Sequence, residues 1–181
     1  MAHLFAFLRA INVGGHTVTM AQLRGIFEDL GLLDVETFIA SGNVIFRSPS
    51  RTLPALERKI EGGLHEALGY EVKTFIRTPT ELVAVSRYKP FPETQIRSAG
   101  AFCVGFMAQP LDAAGKKSLL ALRTDIDAFH TDGREVYWLC KMRQSESKFS
   151  NTRFEKATGA RITFRGAGTV AKLAAKAGAL A

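Results

Sequence analysis

Apolar residues along this chain fall in short blocks whose spacing switches between alternation and a helical period, and the switches divide it into elements. Residues 3–11 are rich in Leu and Phe and read as a strand, ended by the turn cluster Asn12-Val13-Gly14-Gly15-His16. Thr19 with Gln22 forms a capping box, and Leu23, Ile26, Phe27 and Leu30 share one face of the helix that follows. Gly31 stops that helix. Residues 35–40 and 44–46 are expected as strands joined by a tight turn at Ser41-Gly42-Asn43. Leu56, Ile60, Leu64 and Leu68 make one stripe over residues 54–68, Gly69 ends this second helix, and residues 71–77 alternate as a strand. The order βαββαβ is the ferredoxin-like unit.

The second half opens on another capping box, Thr78-Pro79-Thr80-Glu81, and its helix is broken by Lys89-Pro90-Phe91-Pro92. A strand over 101–107 and a helix from the cap Asp112 to Leu122 follow. Residues 125–131 and 135–142 are expected as a hairpin turning at Asp132-Gly133. A short helix over 151–158, a strand near 162–164 and a terminal helix carrying Val170, Leu173, Ala174 and Ala177 complete the chain. From Ala101 onward the order again resembles βαββαβ. The expected fold is therefore α+β: two ferredoxin-like (alpha-beta plait) units with antiparallel sheets, residues 1–77 and 78–181, the second with extra helices. No repetition of sequence accompanies this duplication of pattern.

Composition narrows the class. With 46% hydrophobic and 23% charged residues the chain has material for a buried core, and no apolar run approaches bilayer-spanning length. The apolar start, Met1 to Arg9, is short for a signal sequence and has no basic leader, so a cytoplasmic location is expected. Cys103 and Cys140 lack metal-ligand spacing and sit in strand-like apolar runs, as small core residues do. The net charge of +7 is concentrated late in the chain. Between 141 and 176 stand Lys141, Arg143, Lys148, Arg153, Lys156, Arg161, Arg165, Lys172 and Lys176 against only Glu146 and Glu155. An anionic partner fits that excess.

Two motifs carry a family resemblance. Leu8-Arg9-Ala10-Ile11-Asn12-Val13-Gly14-Gly15 with Met20-Ala21-Gln22-Leu23-Arg24, and then Ile39-Ala40-Ser41-Gly42-Asn43-Val44-Ile45-Phe46, resemble the signatures of the bacterial domain-of-unknown-function 1697 family. Pro90-Phe91-Pro92, Arg134-Glu135-Val136-Tyr137, Ser147-Lys148-Phe149 and Thr169-Val170-Ala171-Lys172-Leu173 fit its later, looser landmarks. The resemblance implies two packed ferredoxin-like domains and no activity. The chain departs from the pattern at Ala10, where glycine is usual, and at Arg165-Gly166-Ala167-Gly168-Thr169-Val170, where an Arg-Asn-Trp-Asn-Thr-Val type motif is common.

Topology supplies the first candidate site. In a ferredoxin-like sheet the end of strand 1 lies beside the start of strand 3, which brings Asn12-Val13-Gly14-Gly15 next to Ser41-Gly42-Asn43 at the N-terminus of the first helix. Open backbone N–H groups there favour an anion, and Arg9 can add a charged hydrogen bond. A small anionic ligand held by Arg9, Asn12, Gly14, Gly15, Ser41, Gly42 and Asn43 is the first expectation, with catalysis left open. Glycine and asparagine in turns also serve backbone geometry alone. Without a Gly-Lys-Ser/Thr ending the loop is no nucleotide P-loop, and no cofactor motif is present.

The second expectation is nucleic-acid binding by Lys148, Arg153, Lys156, Arg161, Arg165 and Lys172. Phe5 and Phe7 invite comparison with an RNA-recognition sheet, but residues 42–47 lack its aromatic-rich signature, and burial of those rings is the favoured reading. The third is a protein-interaction module pairing through an exposed sheet or edge strand. Enzymatic constellations are sparse. Ser41 has no nucleophile-elbow context, and His3, His16, His65 and His130 have no partner at ligand spacing. His16 is the one titrating group near the glycine loop. Asp125 and Asp127, on one face of a strand, either hold a cation or flank a turn.

Overall fold

The computed structural model describes residues 1–12 and 14–180, with only the backbone of Ala40 and Ser41. The chain divides into two compact units, Met1–Val83 with Leu173–Ala181, and Ala84–Lys172. The expected boundary after Arg77 marks the end of a strand, whereas the units part within the next helix, and the end of the terminal helix groups with the first unit.

In the first unit β1 (Ala2–Leu8), α1 (Met20–Asp29), β2 (Leu33–Phe38), β3 (Ala40–Ser48), α2 (Leu53–Leu68) and β4 (Thr74–Arg77) follow in the expected order. The antiparallel sheet runs β2-β3-β1-β4. α1 starts where its capping box places it: the Thr19 hydroxyl accepts from the Gln22 amide and the Gln22 side chain accepts from Thr19 N–H. Leu23 and Phe27 of α1 and Leu56, Ile60 and Leu64 of α2 lie buried against Leu4, Ala6, Leu8, Val44 and Phe46. Each large apolar side chain so covered contributes about 1.5–3 kcal/mol. The opposite face of the sheet is also covered, with Phe5 and Phe7 at 1% and 0% exposure. Rings that closed to solvent offer no stacking platform, which removes the comparison with an RNA-recognition sheet.

The second unit holds α3 (Pro79–Arg87) in part, α4 (Glu93–Ser98), β5 (Ala101–Phe106), α5 (Ala113–Leu120), β6 (Asp127–Asp132), β7 (Glu135–Cys140), α6 (Asn151–Thr158), β8 (Thr163–Gly166) and the start of α7 (Ala167–Leu180). Its sheet order, β6-β7-β5-β8, repeats that of the first unit strand for strand. Two ferredoxin-like units are thus present, and the second carries the extra helices. Cys103, Trp138, Phe154 and Ile162 belong to its core. The hairpin turns at Gly133-Arg134, one residue later than expected, with Asp132 paired to Glu135. β6 begins only at Asp127, so Asp125 precedes the strand and the two acids do not share a strand face.

The first hairpin also turns elsewhere than expected. Phe38 pairs with Ala40 and the chain reverses at Ile39, whose φ of 70° is an outlier for a β-branched residue. Ser41-Gly42-Asn43 is therefore no turn: these residues belong to β3 and bulge between the Thr37–Val44 and Phe38–Ala40 pairs. The Asn43 amide closes the bulge by donating to the Phe38 carbonyl at 3.1 Å.

Ala10 has φ 57°, in the left-handed region. Glycine is the default residue there, which accounts for its being usual at this place in the resembling family. Ala10→Gly is expected to raise stability by about 0.5 kcal/mol. That is the left-handed cost of roughly 1–2 kcal/mol less the 0.5–1 kcal/mol that glycine's extra chain entropy returns. A denaturant midpoint unchanged or lowered by the substitution would show that the strain is absent.

Candidate anion-binding sites

Register settles the first expected juxtaposition. Phe7 pairs with Asn43, so the chain leaving β1 through Arg9 passes beside the bulge that opens β3. Arg9 N–H donates to the Lys73 carbonyl, which extends the β1–β4 edge. The loop beyond is tied to its own unit: Asn12 Oδ1 accepts from Val18 N–H at 2.7 Å, and the Tyr70 hydroxyl donates to the Ile11 carbonyl at 2.8 Å. His16 stacks on the Tyr70 ring with centroids 3.9 Å apart. Gly14 and Gly15 have φ of 64° and 82°, and among the described residues nothing lies within 4 Å of where a side chain would begin. Their glycine identity answers backbone conformation and not a close approach. Val13 and the Ser41 side chain lie outside the described residues. The pairing thus sets the end of β1 beside Asn43, with Arg9 and the loop of Asn12, Gly14 and Gly15 following in the chain, and the two asparagines are engaged in holding loop and bulge.

The basic segment is divided by the fold. Lys148, Arg153, Lys156, Arg161 and Lys172 are exposed. Arg165 is not with them: its guanidinium turns inward along β8, donating to Thr163 Oγ1 at 2.7 Å and the Phe164 carbonyl at 2.9 Å. Burial lowers its pKa to about 10. Lys148 and Arg153 are brought together instead with Arg123, from the turn after α5, around a pocket of about 160 Å³. Arg153 Nη1 also donates to the Lys148 carbonyl, which draws the two residues' chain segments together. Sequence reasoning missed Arg123, since it lies outside the basic run and only the packing of the α5–β6 turn beside α6 exposes its relevance.

The floor of this pocket is organised by Asp127, 3% exposed. Its Oδ1 accepts from Trp138 Nε1 and from the Ser147 hydroxyl, both at 2.8 Å, and its Oδ2 from the Thr124 hydroxyl at 2.8 Å. One carboxylate so ties β7, the segment before α6 and the α5–β6 turn. With both oxygens occupied by donors, Asp127 reads as an organiser of the surrounding loops and not as a cation ligand.

Cys103 and Cys140 are buried free thiols. Burial, with the neighbouring Cys140, pushes Cys103 up to about 11, so at neutral pH it is a protonated, unreactive core residue. His130 shares a 2.7 Å hydrogen bond with the Tyr88 hydroxyl. No group of three or more potential metal ligands occurs among the described residues, and no described helix is long and apolar enough to cross a membrane.

Fold and site together define a duplicated ferredoxin-like α+β protein with a cation-lined pocket in its second unit. Residues 1–137 match the family described as protein of unknown function (DUF1697), and the chain belongs to that family. The landmarks at 147–149 and 169–173 lie beyond the matched residues. Among solved structures the chain is similar to the conserved bacterial protein SP0830 from Streptococcus pneumoniae, with 22% identity and a TM-score of 0.73 over 98% of this chain and 99% of that one. At that identity the likeness speaks for the fold. No curated protein matches the chain.

Proposed function

We propose that this chain is a binding protein for a small anionic ligand, and that Arg123, Lys148 and Arg153 supply the cationic lining of its seat. The observation that supports the reading is the convergence of these three side chains, from two separate stretches of chain, on one pocket. Three cations around one buried, fully hydrogen-bonded carboxylate leave a positive local balance, and the guanidinium groups suit phosphate oxygens. A cytoplasmic location accompanies this reading, in keeping with two free buried thiols, and so does a bacterial source, in keeping with the Streptococcus likeness.

The first-unit corner of Arg9, Asn12, Gly14, Gly15, Ser41, Gly42 and Asn43 is the second seat for such an anion, favoured by the pairing that sets loop beside bulge. Pyrophosphate titrated into the full chain is expected to raise Tm. Arg153→Ala is expected to weaken the binding by about tenfold or more, as loss of a charge-assisted hydrogen bond does, while Arg9→Ala leaves it unchanged. The reverse pattern moves the seat to the corner, and no shift at millimolar pyrophosphate removes both.

Nucleic acid is the alternative ligand, favoured by the exposure of Lys148, Arg153, Lys156, Arg161 and Lys172. Several phosphate contacts give affinity that falls steeply with salt, whereas a single-phosphate seat gives a shallow slope.

A further inference from the structure

Beside the cation pocket lies a second, larger recess that the charge pattern does not explain. It is an open groove of about 550 Å³ whose lining includes Trp138, Phe149, Phe164, Gln144 and Asn151. Its apolar part is a ring cluster: Phe149 and Trp138 have centroids 4.9 Å apart, and Phe149 and Phe164 5.6 Å apart. Phe149 and Phe164 are only half-buried. Its polar part consists of the amides of Gln144 and Asn151 and the serines Ser145 and Ser150, side chains that carry both donors and acceptors. Phe149 lines the groove and the cation pocket alike, so the two recesses adjoin at one side chain.

Resting on the anion seat proposed above, we propose that groove and pocket together take one nucleotide unit, with its base against Phe149 and Phe164 and its phosphate on Arg123, Lys148 and Arg153. The ligand must be planar on one side and anionic on the other. An aromatic face receives a base irrespective of its identity, because every base has a π-face. Gln144 and Asn151 can meet base-edge donors and acceptors in either sense. The groove's volume lies within the usual range for small-molecule sites, and the cations supply the charge complement that an aromatic cluster alone lacks. Trp138, the single tryptophan, borders this groove and reports on its occupancy.

The test titrates the full chain with AMP and with ribose 5-phosphate, which presents the same phosphate without a base. AMP is expected to bind at least about fivefold more tightly, the lower end of what base stacking on an aromatic side chain contributes. It is also expected to quench Trp138 fluorescence, which ribose 5-phosphate leaves unaltered. Phe164→Leu, which keeps an apolar side chain in the core, is expected to bring the AMP affinity down toward that of ribose 5-phosphate. Equal affinity for the two probes, with no quenching by AMP, overturns the base groove while the anion seat stands. Binding of neither probe removes the seat and the groove together. A short oligoadenylate distinguishes the sources of the nucleotide: tighter, steeply salt-dependent binding with the same quenching points to a single strand, and binding no tighter than AMP points to the free nucleotide.

Discussion

Asp127→Ala is expected to destabilise the second unit by about 3 kcal/mol, because three donors lose one buried acceptor at once. The losses differ in kind. Ser147 and Thr124 hydroxyls can rotate toward another acceptor, but the Trp138 indole N–H is fixed by a ring packed between Phe149 and Phe164. Asp127→Asn keeps a carbonyl oxygen for Trp138 and Ser147 and turns an amide toward Thr124, whose hydroxyl already accepts from Ile126 and Asp127 N–H, so the bond to Thr124 alone is lost. It is expected to cost about 1 kcal/mol, the value of one ordinary hydrogen bond. Urea denaturation followed by Trp138 fluorescence reads both, with the midpoint moving and the slope constant. An alanine variant within 0.5 kcal/mol of wild type would mean that the carboxylate does not organise these loops.

The second large effect is a backbone clash. Gly100 precedes β5, and its N–H donates to the Cys140 carbonyl at 2.9 Å. A Cβ built at this position would lie well inside contact distance of the Met142 carbonyl carbon and oxygen. Neither is the far end of a flexible side chain. Gly100→Ala must therefore push residues 142–143 away and disturb the end of the β5–β7 pairing, where Ala101 faces Cys140. Overpacking of this kind costs about 3 kcal/mol at the upper end of its usual range. For a protein of this size that lowers Tm by roughly 6–12 °C. Gly14→Ala serves as the comparison. Its added Cβ meets none of the described residues, and the positive φ opposes it, at roughly 1–2 kcal/mol. If the two variants melt together, the close approach at Gly100 is not tight.

Much of the fold was legible in residue order because its signals are local. A capping hydroxyl and the glutamine three residues on meet within one turn whatever the rest of the chain does, so Thr19 and Gln22 marked the start of α1. Helical stripes such as Leu56, Ile60 and Leu64 bury the same way in any fold that covers one face. Hairpins were less legible. The bulge at Ser41–Asn43 and the reversal at Ile39 depend on which residues of β3 pair with β1 and which with β2, a competition between two neighbours that a single stretch of sequence does not record.

The candidate sites divide along the same line. That the end of β1 meets the start of β3 follows from strand order and antiparallel pairing, both readable from the βαββαβ pattern. Sequence by itself also determined the excess of positive charge late in the chain. Only the tertiary structure decided which of those charges lie together. It turned Arg165 inward along β8 and set Arg123, from outside the run, beside Lys148 and Arg153. The physical reason is range: caps, stripes and turns act over a few residues, whereas a pocket is made by packing side chains from loops far apart in the chain, and nothing in the residue order states which loops will meet.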